Sequence, residues 1–224
     1  MKREVFITQD GSHSINIIDA NITYHSKYGA IRESKHIYIE AALKQLLNKK
    51  PCIHIFEMGF GTGLNALLTL IAAEDSSQKI YYETVEAFPL KKQIFEKLNY
   101  CEQLQKPDLQ SSFLKLHNCE WQKEISVNPF FDFKKINISF QNYIFNKPFD
   151  IIFYDAFSPG AQPELWATEI FIKLFDALSQ NGLLVTYCSK GDAQRAMQAA
   201  GFIVEKLPGP LYKREILRAV KKYY

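Results

Sequence analysis

The 224-residue chain lacks the features that mark secreted, membrane and zinc-binding proteins. Its four cysteines, Cys52, Cys101, Cys119 and Cys188, form no C-x-x-C pair, which favours reduced thiols over a disulfide framework or a zinc site. The opening MKREVFITQD has no signal-peptide stretch, and no apolar run is long enough to span a bilayer. We therefore expect a cytoplasmic protein without a membrane partner or a metal.

The sequence also lacks a strong excess of charge, internal repeats and low-complexity segments. Its net charge of +3 permits a polyanionic partner without requiring one. Hydrophobic residues make up 47% and charged residues 23% of the chain, as in ordinary globular proteins. The length suits one domain, or one domain with a small appendage.

Apolar strand patterns alternate with helical patterns along most of the chain. A hairpin is predicted around Asp10 and Gly11, followed by a helix near 34–48. Residues 101–130 look irregular. The later segments are predicted as strands at 52–59, 80–87, 135–140, 149–157, 182–189, 203–208 and 215–221, and helices at 64–73, 89–98, 163–178 and 191–202. Strands that alternate with helices and are apolar along their whole length predict an α/β fold with a mostly parallel sheet covered by helices on both faces.

A glycine-rich turn, FEMGFGTGLN, follows the first strand of this predicted sheet. Gly59, Gly61 and Gly63 give the spacing G-x-G-x-G, with Glu57 ahead of them, and Leu64 occupies the place of the last glycine of a dinucleotide motif. Bare backbone at a helix N-terminus allows close approach of a ligand. A plain strand-to-helix turn without a ligand is the alternative interpretation.

Glu86 ends the next strand, in TVEAFP. A carboxylate at this position can accept both hydroxyl groups of an adenosine ribose, although a solvated glutamate at a strand end is also common. Together the turn and Glu86 favour a nucleoside cofactor. The glycine spacing and the two C-terminal strands favour S-adenosyl-L-methionine over NAD.

The segment FYDAFSPG places Asp155 at the end of the fourth strand, followed by Phe157 and Pro159. Methyltransferases that act on amino groups carry an acidic or amide residue, a proline and an aromatic ring here. The carboxylate would accept hydrogen bonds from the target amine, and the ring of Phe157 would stack on the substrate base. The alternative is that Asp155 caps the following helix.

Several segments together resemble the methyltransferase part of the MnmC family of bacterial tRNA modification. The similarity spans roughly residues 5–220 and is carried by YHSKYGAIRESKHIYI, MGFGTGLN, VEAFPL, YDAFSP with PELW, LVTYCSKG with RAMQAAGF, and LPGP with KREILRA. The resemblance implies methylation of 5-aminomethyl-(2-thio)uridine at the tRNA wobble position, with S-adenosyl-L-methionine as donor. It also implies a Rossmann-like methyltransferase sheet, mostly parallel with an antiparallel last strand. The methyltransferase domain would span 49–224, preceded by a hairpin and cofactor-covering segment at 1–48.

The family pattern, carried over by position, implies a cofactor site in which the glycine turn meets the methionine end, Glu86 holds the ribose, and the N-terminal segment closes over the cofactor. The predicted cofactor residues are Tyr24, Glu33, Glu57, Gly59, Gly61, Gly63, Asn65, Glu86 and Asn142. Asp155 would face the substrate amine. Phe157, Lys190, Lys213 and Arg214 would bind the substrate, an anticodon loop whose phosphates meet the basic residues.

Two features depart from the family. The family has Gly-Asp after the third strand, where this chain has Gln141 and Asn142. The side-chain carbonyl oxygen of Asn142 would then accept a hydrogen bond from the exocyclic amine of adenine. The second MnmC domain, a flavin-dependent oxidase, has no counterpart here. We therefore expect a stand-alone methyltransferase that depends on another enzyme for its aminomethyl substrate.

Three other functions compete with this interpretation. Methylation of a small-molecule amine would use the same cofactor site without a basic mouth. An NAD-dependent oxidoreductase is disfavoured by Leu64, and an inactive binding module is disfavoured by Asp155. The role of residues 101–130 stays open.

Overall fold

A computed structural model describes residues 2–222, and the strands in this range form two sheets. The smaller sheet contains three antiparallel strands near the N-terminus, and the larger contains eight. The strands are β1 (Arg3–Ile7), β2 (His13–Ile17), β3 (Ile22–Thr23), β4 (Cys52–Met58), β5 (Lys79–Val85), β6 (Glu124–Asn128), β7 (Phe131–Ile136), β8 (Phe149–Tyr154), β9 (Leu178–Thr186), β10 (Ile203–Pro208) and β11 (Glu215–Val220).

The α-helices connect and cover the strands of the larger sheet. They are α1 (Ala30–Ser34), α2 (Leu64–Ser76), α3 (Lys92–Phe95), α4 (Tyr100–Gln103), α5 (Gln110–Asn118), α6 (Thr168–Ala177) and α7 (Gly191–Ala199). A π-helical segment, Lys35–Glu40, continues directly from α1. Short 3₁₀ turns lie at Ile18–Ala20, Leu43–Gln45, Pro107–Leu109, Phe140–Asn142 and Pro163–Trp166.

The larger sheet has the order β10-β11-β9-β8-β4-β5-β7-β6. Strands β9, β8, β4, β5 and β7 are parallel neighbours, whereas β11 pairs antiparallel with both β9 and β10. The predicted α/β fold, with its parallel centre, antiparallel last strand and N-terminal hairpin, is confirmed. At the opposite edge β6 pairs antiparallel with β7.

Both faces of the sheet are covered because its central strands are apolar along their whole length. Ile55 faces one buried cluster, which includes α2 and the π-helical segment, while its neighbour Phe56 faces a second cluster beneath α6 and α7. The predicted division of the chain at residues 48 and 49 falls just before β4 and stays a prediction.

The strand register fixes where the functional loops leave the sheet. Met58 pairs with Val85 on one side and with Tyr154 on the other. Since the three strands are parallel, the residues that follow them emerge at the same edge. The glycine turn, Glu86 and Asp155 therefore meet at the carboxyl ends of β4, β5 and β8.

Several predicted element boundaries are wrong. The helix expected at 89–98 is reduced to α3, because the Arg3 guanidinium holds the carbonyl groups of Phe88 and Pro89 at 2.8 and 3.1 Å. The helix expected at 163–178 is broken at Ala167, where ψ is 155°. The helix expected near 34–48 already begins at Ala30, after Gly29.

The supposedly irregular stretch 101–130 is mostly ordered. It contains most of α4, then α5 and β6, and α5 buries Phe113 and Leu116 in the core. The strand expected at 135–140 lies earlier, at Phe131–Ile136. No helix among residues 2–222 combines the length and apolar character needed to cross a membrane.

Candidate active site

The glycine turn is attached to the neighbouring strand by its own backbone. The N–H groups of Gly59 and Phe60 donate to the Val85 carbonyl at 3.1 and 3.2 Å. The N–H of Gly61 donates to Glu86 Oε2 at 2.9 Å. These bonds hold the turn over the carboxyl end of β5, with its backbone facing outward from the sheet.

A first cavity of about 480 Å³ opens above this turn. Gly59 adopts a φ of +90°, and a Cβ built there would meet only the Asp155 carbonyl oxygen, at 3.5 Å. Glycine therefore adopts this left-handed conformation without strain and leaves the space above the turn open. Its wall includes Tyr24, Gly59, Gly61, Asn65, Glu86 and Gln141, together with Asp155.

The residues of the first cavity fit S-adenosyl-L-methionine. Each Glu86 carboxylate oxygen accepts one backbone N–H, from Gly61 and Phe88, so the carboxylate keeps capacity for ribose hydroxyl groups. The buried Oδ1 of Asn65 has no hydrogen-bond partner among residues 2–222 and is available to a donor such as the methionine ammonium group. The open backbone at Gly59 leaves room for the methionine end of the ligand.

Some predicted cofactor residues do not line the first cavity. Glu57 is 1% exposed, and burial, followed by the charge of Asp155, raises its pKa well above the usual range. Asn142 is exposed at the surface, while its neighbour Gln141 lines the cavity. Gly63 starts α2 at a φ of +73°, outside the lining. Cofactor contacts by Glu57, Asn142 and Gly63 stay predictions.

Asp155 lies where the first cavity meets a second one and lines both. The Asn65 amide donates to Asp155 Oδ2 at 2.9 Å. Burial raises the pKa of Asp155 to about 6, against the opposing effects of the Tyr38 hydroxyl and the Asn65 amide. The group is therefore a stronger base than an ordinary aspartate and is still mostly ionised at neutral pH.

Tyr24 and Phe157 stand beside Asp155 and also line both cavities. Their rings meet edge to face with centroids 5.2 Å apart. Tyr24 further covers Gly61, where an added Cβ would lie 3.2 Å from its ring. Burial raises the pKa of Tyr24 to about 12, so its hydroxyl stays protonated. The two rings form an apolar partition next to the carboxylate.

The second cavity, of about 450 Å³, lies between residues 21–33, the end of β8 and the loop 210–213. The Glu33 carboxylate accepts from the Ser26 N–H at 2.8 Å and pairs with Lys213 Nζ at 3.0 Å. Lys213 also lies 4.6 Å from the centroid of the Tyr187 ring. Glu33 therefore belongs to the wall of the second cavity, and the cofactor contact that the family resemblance implies for it stays a prediction.

The basic residues predicted at the substrate mouth are only partly brought together. Lys213 lines the second cavity as part of an ion pair. Lys190 and Arg214 line neither cavity, and the Arg214 side chain is 94% exposed. Substrate binding by Lys190 and Arg214 stays a prediction.

His25 lines both cavities and was not predicted from the sequence. Its Nδ1 lies 3.1 Å from the Ser14 hydroxyl on β2, and burial lowers its pKa to about 4, so the ring is neutral. Arg3 likewise reaches the first cavity from β1. His25 lies in the YHSKYGAIRESKHIYI segment, but that segment does not indicate a role for it, and the docking of the small sheet brings both residues to the site.

Comparison with known proteins identifies the family. A family model described as S-adenosyl-L-methionine-dependent methyltransferase matches residues 84–222, more than half of the chain. The chain belongs to this family. S-adenosyl-L-methionine is therefore its cofactor, in agreement with the geometry of the first cavity.

Individual relatives confirm the resemblance to MnmC. The "tRNA 5-methylaminomethyl-2-thiouridine biosynthesis bifunctional protein MnmC" of Campylobacter hominis is 28% identical over 84% of this chain and 28% of its own length. The protein of the same name from Paraburkholderia xenovorans is 26% identical over 87% of this chain and 31% of its own length. The chain thus spans about a third of these curated relatives.

Solved structures support the fold. The crystal structure of MNMC2 from Aquifex aeolicus superposes with a TM-score of 0.81 at 24% identity, over the whole of this chain and 71% of that one. Spermidine synthase from Thermotoga maritima superposes with a TM-score of 0.53 at 12% identity, covering 100% of this chain and 80% of that chain.

Among residues 2–222 no group of three or more His, Cys, Asp or Glu side chains could hold a metal ion.

Proposed function

We propose that this methyltransferase transfers a methyl group to the aminomethyl nitrogen of 5-aminomethyl-(2-thio)uridine at the wobble position of tRNA. The observation that carries the proposal is the position of Asp155, a carboxylate that lines both the first cavity and the second. The MnmC relatives, which are named for the biosynthesis of 5-methylaminomethyl-2-thiouridine in tRNA, support the choice of substrate.

The proposed chemistry needs little from the protein beyond positioning and proton removal. When bound, S-adenosyl-L-methionine supplies an electrophilic methyl group on its sulfonium. An alkyl amine is mostly protonated at neutral pH and must lose a proton before its lone pair can react. Asp155, with its raised pKa of about 6, can accept that proton or hold the neutral amine by a hydrogen bond. The Asn65 amide fixes the orientation of the carboxylate.

The aromatic lining of the second cavity supports a planar substrate. Phe157 and Tyr24 lie beside Asp155, and Tyr187, whose hydroxyl donates to the Ala156 carbonyl at 2.9 Å, adds a third ring to the lining. A nucleobase whose aminomethyl group points at Asp155 would therefore meet aromatic surface on its faces. A target base inside a cavity must leave its stack, which an unpaired anticodon nucleotide does at low cost.

A small-molecule amine is the second candidate. Lys190 and Arg214 lie outside both cavities, and Lys213 is neutralised by Glu33, so the mouth is less basic than the family resemblance implies. A free amine would need only Asp155 and the aromatic partition. The tRNA substrate, in contrast, implies a cytoplasmic site of action and a separate enzyme that forms the aminomethyl group.

The test is methyl transfer from labelled S-adenosyl-L-methionine to two sets of acceptors. One is tRNA that carries 5-aminomethyl-2-thiouridine or its 2-oxo form, with fully modified tRNA as control. The other is a panel of small primary amines. We expect label in the aminomethylated tRNA alone. Label in a free amine, with none in this tRNA, would replace the proposal by the second candidate.

A further inference from the structure

An exposed pair of aromatic rings stands at the mouth of the second cavity. Tyr28 and Tyr212 line this cavity, with ring centroids 4.5 Å apart and planes inclined by 37°. Tyr212 is 67% exposed and its neighbour Leu211 is 55% exposed. Burial in the core therefore does not explain the Tyr212 ring. A large flat apolar surface is instead presented to solvent beside Asp155, Phe157 and the rest of the cavity wall.

The two rings come from distant segments that are held firmly together. The ion pair between Lys213 and Glu33 joins the loop that carries Tyr212 to the helix that follows Tyr28. Tyr212 itself has a φ of +67°, a left-handed conformation that is unusual for a bulky residue. Such strain persists where the surrounding structure imposes it, and it is concentrated at ligand-binding segments.

Cations flank the aromatic pair. Lys27 Nζ lies 5.5 Å from the centroid of the Tyr28 ring. Arg32 lines the second cavity, and its Nη1 donates to the Tyr28 carbonyl at 3.4 Å. Flat rings next to Lys and Arg are the combination that binds single-stranded nucleic acid, because bases stack on the rings while phosphates meet the charges.

We propose that the Tyr28–Tyr212 pair stacks on the base of a nucleotide adjacent to the target uridine, with Lys27 and Arg32 beside the connecting phosphates. The inference rests on the proposed function, because it assumes that the target uridine occupies the interior of the second cavity near Phe157. The Tyr28–Tyr212 pair would contact a neighbouring nucleotide, which a free amine lacks. The pair therefore recognises an unpaired RNA strand and does not recognise the aminomethyl group itself.

The experiment measures binding of an anticodon stem–loop RNA to the wild type and to Tyr212→Ala, Tyr212→Phe and Tyr212→Leu. Loss of one base–ring stack is expected to weaken binding about tenfold in the Ala and Leu variants, whereas Phe should stay within about twofold of the wild type. Ile144→Ala is the control, because Ile144 is 82% exposed and lines neither cavity. Donor affinity and melting temperature should be unchanged in all variants.

A second RNA identifies the stacked base. An abasic site on one side of the target uridine should weaken binding to the wild type and remove the further loss caused by Tyr212→Ala, as coupled partners do. Independent losses at both flanking positions would overturn the inference, as would unchanged RNA affinity in Tyr212→Ala or a wild type that binds no RNA. Failure of the proposed function has a different signature, since RNA would then bind through Tyr212 without methyl transfer to aminomethyluridine.

Discussion

The two cavities differ in how the chain builds them. The first has a floor of short segments at the carboxyl ends of β4 and β5 and the loop that follows β7, which the N-terminal sheet and the segment after β8 complete. The second draws on residues 21–33, the end of β8, Tyr187 and the loop 210–213, which lie far apart in the sequence. The comparison shows that local turns form the floor of the first cavity, whereas the second cavity depends on how distant loops dock against one another.

The largest expected effect concerns Asp155, which both cavities share. Asp155→Asn should reduce the methyl-transfer rate by about 10²–10⁴-fold, because a positioned acid–base group is lost while its size is kept. Donor binding should change little, since the open turn and Glu86 remain. Single-turnover methylation, calorimetric donor affinity and melting temperature should be measured on one preparation.

The pH dependence of methyl transfer gives a second comparison between the wild type and Asp155→Asn. Wild-type activity should rise as Asp155 loses its proton around its pKa of about 6, whereas the Asn variant should lack this step. Higher pH should partly rescue the variant by deprotonating the amine. A variant that melts earlier but methylates at the normal rate would show that Asp155 merely supports the fold.

The next effect is confined to the first cavity. Glu86→Ala should weaken S-adenosyl-L-methionine binding by about 1.5–3 kcal/mol for each charge-assisted hydrogen bond lost. It should leave RNA affinity unchanged, because Glu86 does not line the second cavity. Calorimetry gives the donor affinity, and Glu169→Ala on the exposed surface of α6 is the control. Equal donor affinity in a folded Glu86 variant would exclude a ribose contact.

A smaller effect is expected at Arg214, which lies outside both cavities next to the lining residue Lys213. The Arg214 side chain is 94% exposed, and its removal should flatten the slope of log RNA affinity against log salt by about 0.7–0.9, as for one lost phosphate contact. Titrations between about 50 and about 200 mM salt measure this slope. An unaltered slope would move the RNA contact away from Arg214.

The smallest effect concerns Lys213. Its charge lowers the pKa of Asp155, whereas Glu33 raises it, so Lys213→Met should move this pKa above about 6. More Asp155 would then be protonated at mildly acidic pH, and the acid limb of the pH–rate profile should shift to higher pH. The matched control is Lys206→Met, whose ion pair with Glu215 lies outside both cavities. A shift to lower pH would contradict the assigned electrostatics.

The sequence predicts the sheet and the turns at the floor of the first cavity because these depend on local patterns. Apolar strands, the glycine spacing and the strand-end Glu86 and Asp155 each occupy a few consecutive residues. Sequence patterns are less precise within the 3₁₀ turn Phe140–Asn142. The sequence predicts Asn142 as a cofactor residue, whereas its neighbour Gln141 lines the first cavity. His25 and Tyr28 lie in the YHSKYGAIRESKHIYI segment, but neither they nor Tyr212 could be placed at a cavity from the sequence, because their positions result from the docking of the N-terminal sheet and the β10–β11 loop.

The central claim is tested most directly by nucleoside mass spectrometry of tRNA from cells with and without this protein. We predict that 5-aminomethyl-(2-thio)uridine accumulates when the gene is deleted and that its methylated product disappears. Restoring the wild-type gene should reverse both changes, whereas the Asp155→Asn gene should not. Unchanged levels of both nucleosides in the deletion strain would contradict the assignment of this enzyme to wobble-uridine methylation.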